Sequence, residues 1–123
     1  MAEGKFLPYM QWTHLKSSVA SLRNFAIGFV GILYPPQFQK ILAAAGDAFK
    51  DKCPRADDVW LHCLAIRHGF KIRQLRDDPV HPRAVPFTQE IALFETNQLA
   101  NGNDVQISAT YTEDDLKLLR VQR

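Results

Sequence analysis

The sequence lacks the features that mark several whole classes of protein. Its two cysteines, Cys53 and Cys63, are too few for a disulfide framework and do not form a C-x-x-C pair. We therefore expect a reducing, cytoplasmic setting. Long apolar runs are also missing. The most apolar stretch, residues 25–34, has about half the length of a membrane-spanning helix and contains two glycines.

Neither sign of charge dominates the chain. Fifteen Lys and Arg residues stand against 13 Asp and Glu, which leaves a net charge of +2 at pH 7. Nucleic-acid-binding domains usually have a clearer basic excess, so we expect no nucleic-acid partner. The first residues, Met-Ala-Glu-Gly-Lys, lack the apolar region of a signal peptide. With 123 residues, 46% hydrophobic and 23% charged, residues 1–123 are predicted to form a single globular domain.

The signature motifs of several common enzyme classes are missing as well. Gly28 and Gly31 are spaced as G-x-x-G, but no Gly-Lys-Ser/Thr of a phosphate-binding loop follows them. Neither H-E-x-x-H nor G-x-S-x-G occurs. The Asp residues form adjacent pairs, at 57–58, 77–78 and 114–115, and no Asp-x-Asp is present. P-loop nucleotidases, zinc proteases of the H-E-x-x-H type and serine hydrolases therefore lack support.

Apolar periodicity predicts several helices. One begins at Pro35–Pro36 and runs for about 13 residues, with one apolar face made by Phe38, Ile41, Leu42, Ala45 and Phe49. A second begins near Asp57 and ends at Gly69, which is a natural left-handed C-cap. A third is predicted over Gln89–Ala100. One or two short helices follow after residue 104, with Thr112 in an N-cap run.

Two segments have the composition of strands. Residues 25–34 are β-branched, aromatic and apolar, and the two glycines in them would be costly in a helix. Residues 70–75 alternate apolar and polar side chains, as a half-exposed strand does. Together with the helices, these segments predict an α/β fold in which a short mixed sheet is flanked by helices.

The pair Asp57–Asp58 is the most suggestive candidate site. Two carboxylates at a helix start lie at the positive end of the helix dipole, which favours their ionised form. A carboxylate there that faces a cleft can act as a general base and remove a proton from an alcohol. The alternative is structural, since an Asp at a helix start can simply cap the free N–H groups.

Four further residues have both a functional and a structural interpretation. Gly28 and Gly31 either allow a ligand to approach the backbone or merely bend a strand. Trp60 either lines a site or belongs to the core. His81 lies in a proline-rich loop, where functional residues are common, although a lone histidine there is usually a surface residue.

Four sequence blocks, in this order along the chain, resemble one family. They are Leu7-Pro-Tyr-x-x-Trp12, Gly28-Phe-Val-Gly-Ile-Leu-Tyr-Pro-Pro36, Cys53-Pro-x-Ala-Asp-Asp-Val-Trp-Leu61, and Gln89-Glu-x-x-Leu93 with Asn97 and Asn103-Asp104. The chain looks like bacterial glycosyltransferases of surface-polysaccharide clusters, which resemble GT-A-fold enzymes. The resemblance covers nearly the whole chain, and the second and third blocks together are fairly specific.

The resemblance implies a role for each block. Asp58 would be the general base for sugar transfer from a nucleotide-sugar to a carbohydrate hydroxyl, and Asp57 would bind acceptor hydroxyls. Gly28, Gly31 and Trp60 would bind the acceptor. His81 would lie near a diphosphate bound to a divalent metal, Mn²⁺ or Mg²⁺. These roles imply a nucleotide-sugar and a carbohydrate acceptor as partners.

The missing Asp-x-Asp and nucleotide-binding strands are a departure from the family's pattern. They predict that the chain corresponds to the acceptor-side, C-terminal part of a partial GT-A-like domain and is inactive alone. A separate nucleotide-binding polypeptide or a second copy of the chain would then be a partner. Two alternatives stay open: a non-catalytic interaction module, or a truncated gene product.

Overall fold

The chain is a small assembly of helices around one central helix. The computed structural model describes residues 4–78, 83, 86 and 101–121. Within them lie four α-helices: α1 (Pro36–Ala45), α2 (Asp57–Arg67), α3 (Gly102–Thr110) and α4 (Glu113–Val121). Single 3-10 turns occur at Tyr9–Gln11, Gly28–Val30 and Ala48–Asp51. Helix α2 packs against α1, α3 and α4 and is therefore the centre of the fold.

The predicted α/β fold, a partial GT-A-like domain with a short mixed sheet, is wrong. No strand occurs in the described ranges, where Ser21 and Ile72 form one isolated antiparallel bridge. In residues 25–34 the chain makes a 3-10 turn, closed by the Gly31 N–H donating to the Gly28 carbonyl at 3.0 Å. A strand needs a neighbour for its backbone groups. Residues 70–75 pair with a neighbour only at Ile72, and residues 25–34 make no β pairing.

Helix α1 is shorter than its apolar pattern predicts. Pro36 occupies its first turn, where a missing N–H is harmless. The helix ends at Ala45 because Gly46 turns the backbone to a φ of 56°. Phe49 therefore lies in the following 3-10 turn rather than in α1, but its side chain still packs against the core.

Helix α2 supplies most of the core. Its buried side chains run almost without interruption from Val59 to Ile66, as expected for a helix enclosed by others on several sides. The predicted bounds are confirmed, since α2 begins at Asp57 and its C-terminal turn reaches Gly69, which has a φ of 74°. Phe38 of α1 and Ile107 of α3 pack into the same buried cluster.

The two C-terminal helices are joined by a tight capping arrangement. The Thr112 hydroxyl donates a hydrogen bond to the Asp115 carboxylate at 2.9 Å, and the Asp115 N–H donates to Thr112 Oγ1 at 3.4 Å. This confirms the predicted N-cap at Thr112. Asp115 is 2% exposed, and Arg67 holds it through two bonds of 2.8 and 2.7 Å. The bridge fixes α4 against the end of α2.

The N-terminal segment is attached to the far end of the chain. The Tyr9 N–H donates to Oδ1 of Asp104 at 2.7 Å, and the Arg120 guanidinium donates to the Gly4 carbonyl at 2.6 Å. None of the helices described is long and apolar enough to cross a membrane. The predicted helix over Gln89–Ala100 lies outside the described residues.

Candidate functional site

Asp58 is the centre of the candidate site. It lies in the first turn of α2, but no side chain caps that helix, and the N-cap position belongs to Ala56. The Asp58 carboxylate instead accepts a hydrogen bond from the Gly28 N–H at 3.0 Å. The capping alternative is therefore not how this carboxylate is used. The acidic pair and the glycine block, 30 positions apart, come together at one point.

The position of Asp58 changes its proton affinity. Burial, and after it the charge of Asp57, raise the pKa of Asp58 from 3.8 to about 6, and the hydrogen bond from the Gly28 N–H opposes the rise. A carboxylate with a pKa near neutral pH can both accept and release a proton under ordinary conditions. Asp57, in contrast, is exposed on the outside of the helix.

The charge of Asp58 affects the ionisation of two tyrosines, Tyr9 and Tyr34. Burial raises the pKa of both Tyr9 and Tyr34, and the charge of Asp58 raises each further. The Tyr34 ring stacks on Phe38 with centroids 5.6 Å apart, while Tyr9 contacts Trp12 at 5.1 Å. Partly exposed aromatic rings beside a carboxylate make a surface with apolar faces and one proton acceptor.

The other predicted site residues do not lie together at one site. Gly28 is at the site and contacts Asp58 directly. Gly31 is exposed with a φ of 92°, and a Cβ built on it would meet nothing within 4 Å. The Trp60 side chain belongs to the buried core cluster. His81 lies outside the described residues.

The described residues do not make a metal site. In those ranges there is no group of three or more His, Cys, Asp or Glu side chains that could hold a metal ion. Asp57 and Asp58 are adjacent on a helix, so their side chains diverge by about 100°. The described donor set therefore does not fit the divalent metal that the resemblance implies.

A buried polar pair lies along α2, one turn beyond Asp58. His62 Nε2 is 2.9 Å from the Leu22 carbonyl, and Nδ1 is 2.6 Å from the Tyr111 hydroxyl. Since a carbonyl only accepts, Nε2 must carry the proton, and the Tyr111 O–H donates to Nδ1. Burial lowers the pKa of His62 to about 4, although the hydrogen bond that the ring donates to the Leu22 carbonyl opposes this shift. This pair holds α2 to the segments on either side.

Sequence reasoning missed Tyr9, Tyr34 and Asp104. Tyr9 and Tyr34 were part of recognised blocks, but no role was assigned to them. Asp104 is tied to Tyr9 across 95 positions, and nothing in a single sequence indicates so distant a contact. The available signal was the recurrence of Tyr beside Pro in two blocks, Pro8-Tyr9 and Tyr34-Pro35.

Comparison with known proteins gives no match: no protein-family model, no curated protein and no solved structure is similar to this chain. The glycosyltransferase resemblance stays a prediction that depends on the four sequence blocks and on the chemistry of the residues themselves.

Proposed function

We propose that the chain carries the acceptor-activating part of a glycosyl-transfer site, with Asp58 as the general base. The observation that carries this proposal is the bond between the Asp58 carboxylate and the Gly28 N–H, in a position where no helix cap is made. That bond orients one oxygen of the carboxylate. A base held in one orientation needs no reorganisation when the substrate arrives.

The chemistry follows from the two oxygens of Asp58. Gly28 binds Oδ1, and the other oxygen accepts the proton of a sugar hydroxyl as that hydroxyl attacks the donor's anomeric carbon. The bond from the anomeric carbon to the diphosphate breaks, and the nucleoside diphosphate leaves with the electron pair. The raised pKa of Asp58, about 6, makes it a stronger base than an ordinary carboxylate.

The acceptor's sugar ring would lie between the two tyrosines. Tyr9 and Tyr34 are half-buried, and each is influenced by the Asp58 charge. Aromatic rings offer a flat apolar surface for the C–H face of a sugar, while the carboxylate binds its hydroxyl edge. This pairing supports a carbohydrate rather than a simple alcohol as the acceptor.

The donor and its metal are not assigned to described residues. The described groups do not form a metal site for Mn²⁺ or Mg²⁺. Calorimetry with nucleoside diphosphates, with and without manganese, tests this part: we expect no appreciable heat of binding. A separate nucleotide-binding polypeptide would then have to supply the donor.

The decisive experiment compares Asp58→Asn with the wild-type chain. Carboxyl-carbon NMR of the wild type should show the Asp58 resonance moving when neutral oligosaccharides are added. In an acceptor-dependent assay of nucleoside diphosphate release, run together with the separate nucleotide-binding polypeptide that supplies the donor, Asp58→Asn should lower turnover by about 10²–10⁴-fold, the usual contribution of a general base.

Asp51→Asn is the matched control, because Asp51 is an exposed carboxylate in a 3-10 turn away from the site. It should leave both readouts unchanged. Equal turnover of Asp58→Asn and the wild type would contradict the base assignment. An Asp58 resonance indifferent to every oligosaccharide would contradict acceptor binding.

A non-catalytic interaction module is the second candidate, and one observation favours it. Ile27, Val30 and Leu33 are exposed apolar side chains in the segment beside Asp58, and Leu33 is 92% exposed. Exposed apolar clusters often mark contact surfaces. If this surface joins two copies of the chain, sedimentation should show a dimer that the double substitution Val30→Ser with Leu33→Ser returns to monomer.

A further inference from the structure

A cleft opens on the side of the Tyr9 segment that carries Asp104. Its cavity volume is about 460 Å³, which lies within the range of small-molecule sites. One wall is the N-terminal segment, residues 6–8. The other is α3 with its N-cap residue, and it contributes Asn101, Asp104, Ile107 and Ser108.

The two walls are fixed to each other. Oδ1 of Asp104 accepts the Tyr9 N–H at 2.7 Å, which ties α3 to the residue that follows the first wall. The Phe6 ring lies 5.6 Å from Trp12 and 4.7 Å from Tyr111, centroid to centroid. The cleft is therefore largely formed before any ligand arrives, which lowers the entropic cost of binding.

The cleft presents both polar and apolar groups. Asn101 is the only described non-glycine residue with a positive φ, at 56°, and this left-handed turn places it at the edge of the cleft. Its amide and the Ser108 hydroxyl can both donate and accept, while the Asp104 carboxylate accepts. Phe6, Leu7 and Pro8 supply apolar surface on the other wall.

We propose that this cleft is a binding site for a neutral sugar ring. A sugar carries hydroxyls around its edge, which need donors and acceptors together, and C–H groups on its faces, which pack on apolar surface. Asn101, Asp104 and Ser108 provide the first, and Phe6, Leu7 and Pro8 the second. An ammonium ligand only donates hydrogen bonds, so it could not accept from the Asn101 and Ser108 donors.

The cleft is connected to Asp58 through Tyr9. The main chain of Tyr9 binds Asp104 beside the cleft, and the Asp58 charge reaches its side chain. This step rests on the proposed function: the cleft is the second subsite of an oligosaccharide acceptor whose reacting sugar lies at Asp58. The binding of a sugar in the cleft itself stands on the cleft's own geometry.

The test is an amide NMR titration of the ¹⁵N-labelled full chain with neutral oligosaccharides of glucose, galactose and N-acetylglucosamine. We expect the amides of Asp104, Ser108 and Tyr9 to move with at least one of the series. The double variant Asn101→Gly with Ser108→Ala removes two hydrogen-bonding groups while keeping the left-handed turn and the helix. It should weaken binding about tenfold or more.

Val105→Ser is the control, since Val105 is 68% exposed on α3 and does not line the cleft; its binding should equal that of the wild type. The proposal is overturned if no sugar moves these amides up to its solubility limit, or if the double variant binds as the wild type does. Asp58→Asn should leave cleft binding intact. If sugar binding in the cleft is absent while sugar transfer at Asp58 is retained, the proposal for the cleft is overturned and the proposed function is not.

Discussion

The N–H of Gly28 donates to Oδ1 of Asp58 at 3.0 Å, and a Cβ on Gly28 would lie only 3.1 Å from that same oxygen. The closeness of the glycine backbone is thus what holds the carboxylate. A side chain at position 28 would have to displace the group that the proposed reaction uses.

Gly28→Ala should raise the pKa of Asp58 above its value of about 6. The added methyl crowds Oδ1, which loosens the N–H bond and removes water, and both changes disfavour the charged carboxylate. A carboxyl-carbon NMR titration measures the shift directly. Val30→Ala, in the same 3-10 turn, should leave the titration unchanged. An unchanged Asp58 pKa in Gly28→Ala would show that the bond does not control the base.

Asp58→Asn should stabilise the protein in neutral solution. The folded-state pKa of Asp58 is raised from 3.8 to about 6, so the contribution of this group to stability is complete below pH 3.8 and is lost as the pH rises through 6. After allowance for partial exposure, the gain in Asp58→Asn at pH 7 should be about 1–2 kcal/mol.

Urea denaturation across this pH range measures the gain. The difference between Asp58→Asn and the wild type should shrink steadily as the pH falls from 6 toward 4. A variant less stable than the wild type at pH 7 would mean that the carboxylate makes a net structural contribution.

His62 should give the opposite pH dependence. Its folded-state pKa is lowered from 6.5 to about 4, so its contribution to stability is complete above pH 6.5 and is lost as the pH falls through 4. The loss should reach about 3 kcal/mol. Measuring urea denaturation in the Asp58→Asn background separates the two effects. NMR of the His62 ring should show a neutral Nε2–H tautomer at pH 5; a charged ring there would refute the assignment.

Arg67→Met should destabilise the fold by about 3–5 kcal/mol, because it leaves the buried Asp115 carboxylate without its cation. Burial disfavours the charge on Asp115, but bonds from Arg67 and Thr112 outweigh it and lower the pKa of Asp115. Lys117→Met is the control: it breaks an exposed ion pair with Asp114 and should cost far less than Arg67→Met. Urea midpoints at pH 7 compare the two, and equal losses would contradict the buried bridge.

The helices were predictable because their signals are local. The start of α1 follows from the Pro35–Pro36 pair, α2 from the acidic start and Gly69, and α4 from the Thr112 run. Each signal lies within a few residues of the structure it determines. The end of α1 was wrong because Gly46 outweighed the apolar position of Phe49.

The strands were not predictable because strand composition does not guarantee a partner. Ile72 lies against the core between the exposed Lys71 and Arg73, so the alternation in residues 70–75 is real. It reflects one half-buried face, and a single bridge satisfies it. In residues 25–34 the Gly28 N–H that a sheet would have used goes to the Asp58 side chain instead.

For the candidate site, the sequence pointed to two blocks of residues but not to their arrangement in space. The acidic pair and the glycine block were each chosen as site residues, and Gly28 and Asp58 are in contact. The tyrosines beside them and the cleft behind Tyr9 depend on contacts across the whole chain. Only the folded arrangement brings those groups together.

The two ties at the N-terminal segment have a consequence for how the chain folds. Contacts separated by 95 and 116 positions, from Tyr9 to Asp104 and from Gly4 to Arg120, can form only after most of the chain has closed into a loop. Helical proteins with local contacts fold fastest. The part of the candidate site that contains Tyr9 should therefore form late in folding, after α2, α3 and α4 have packed together.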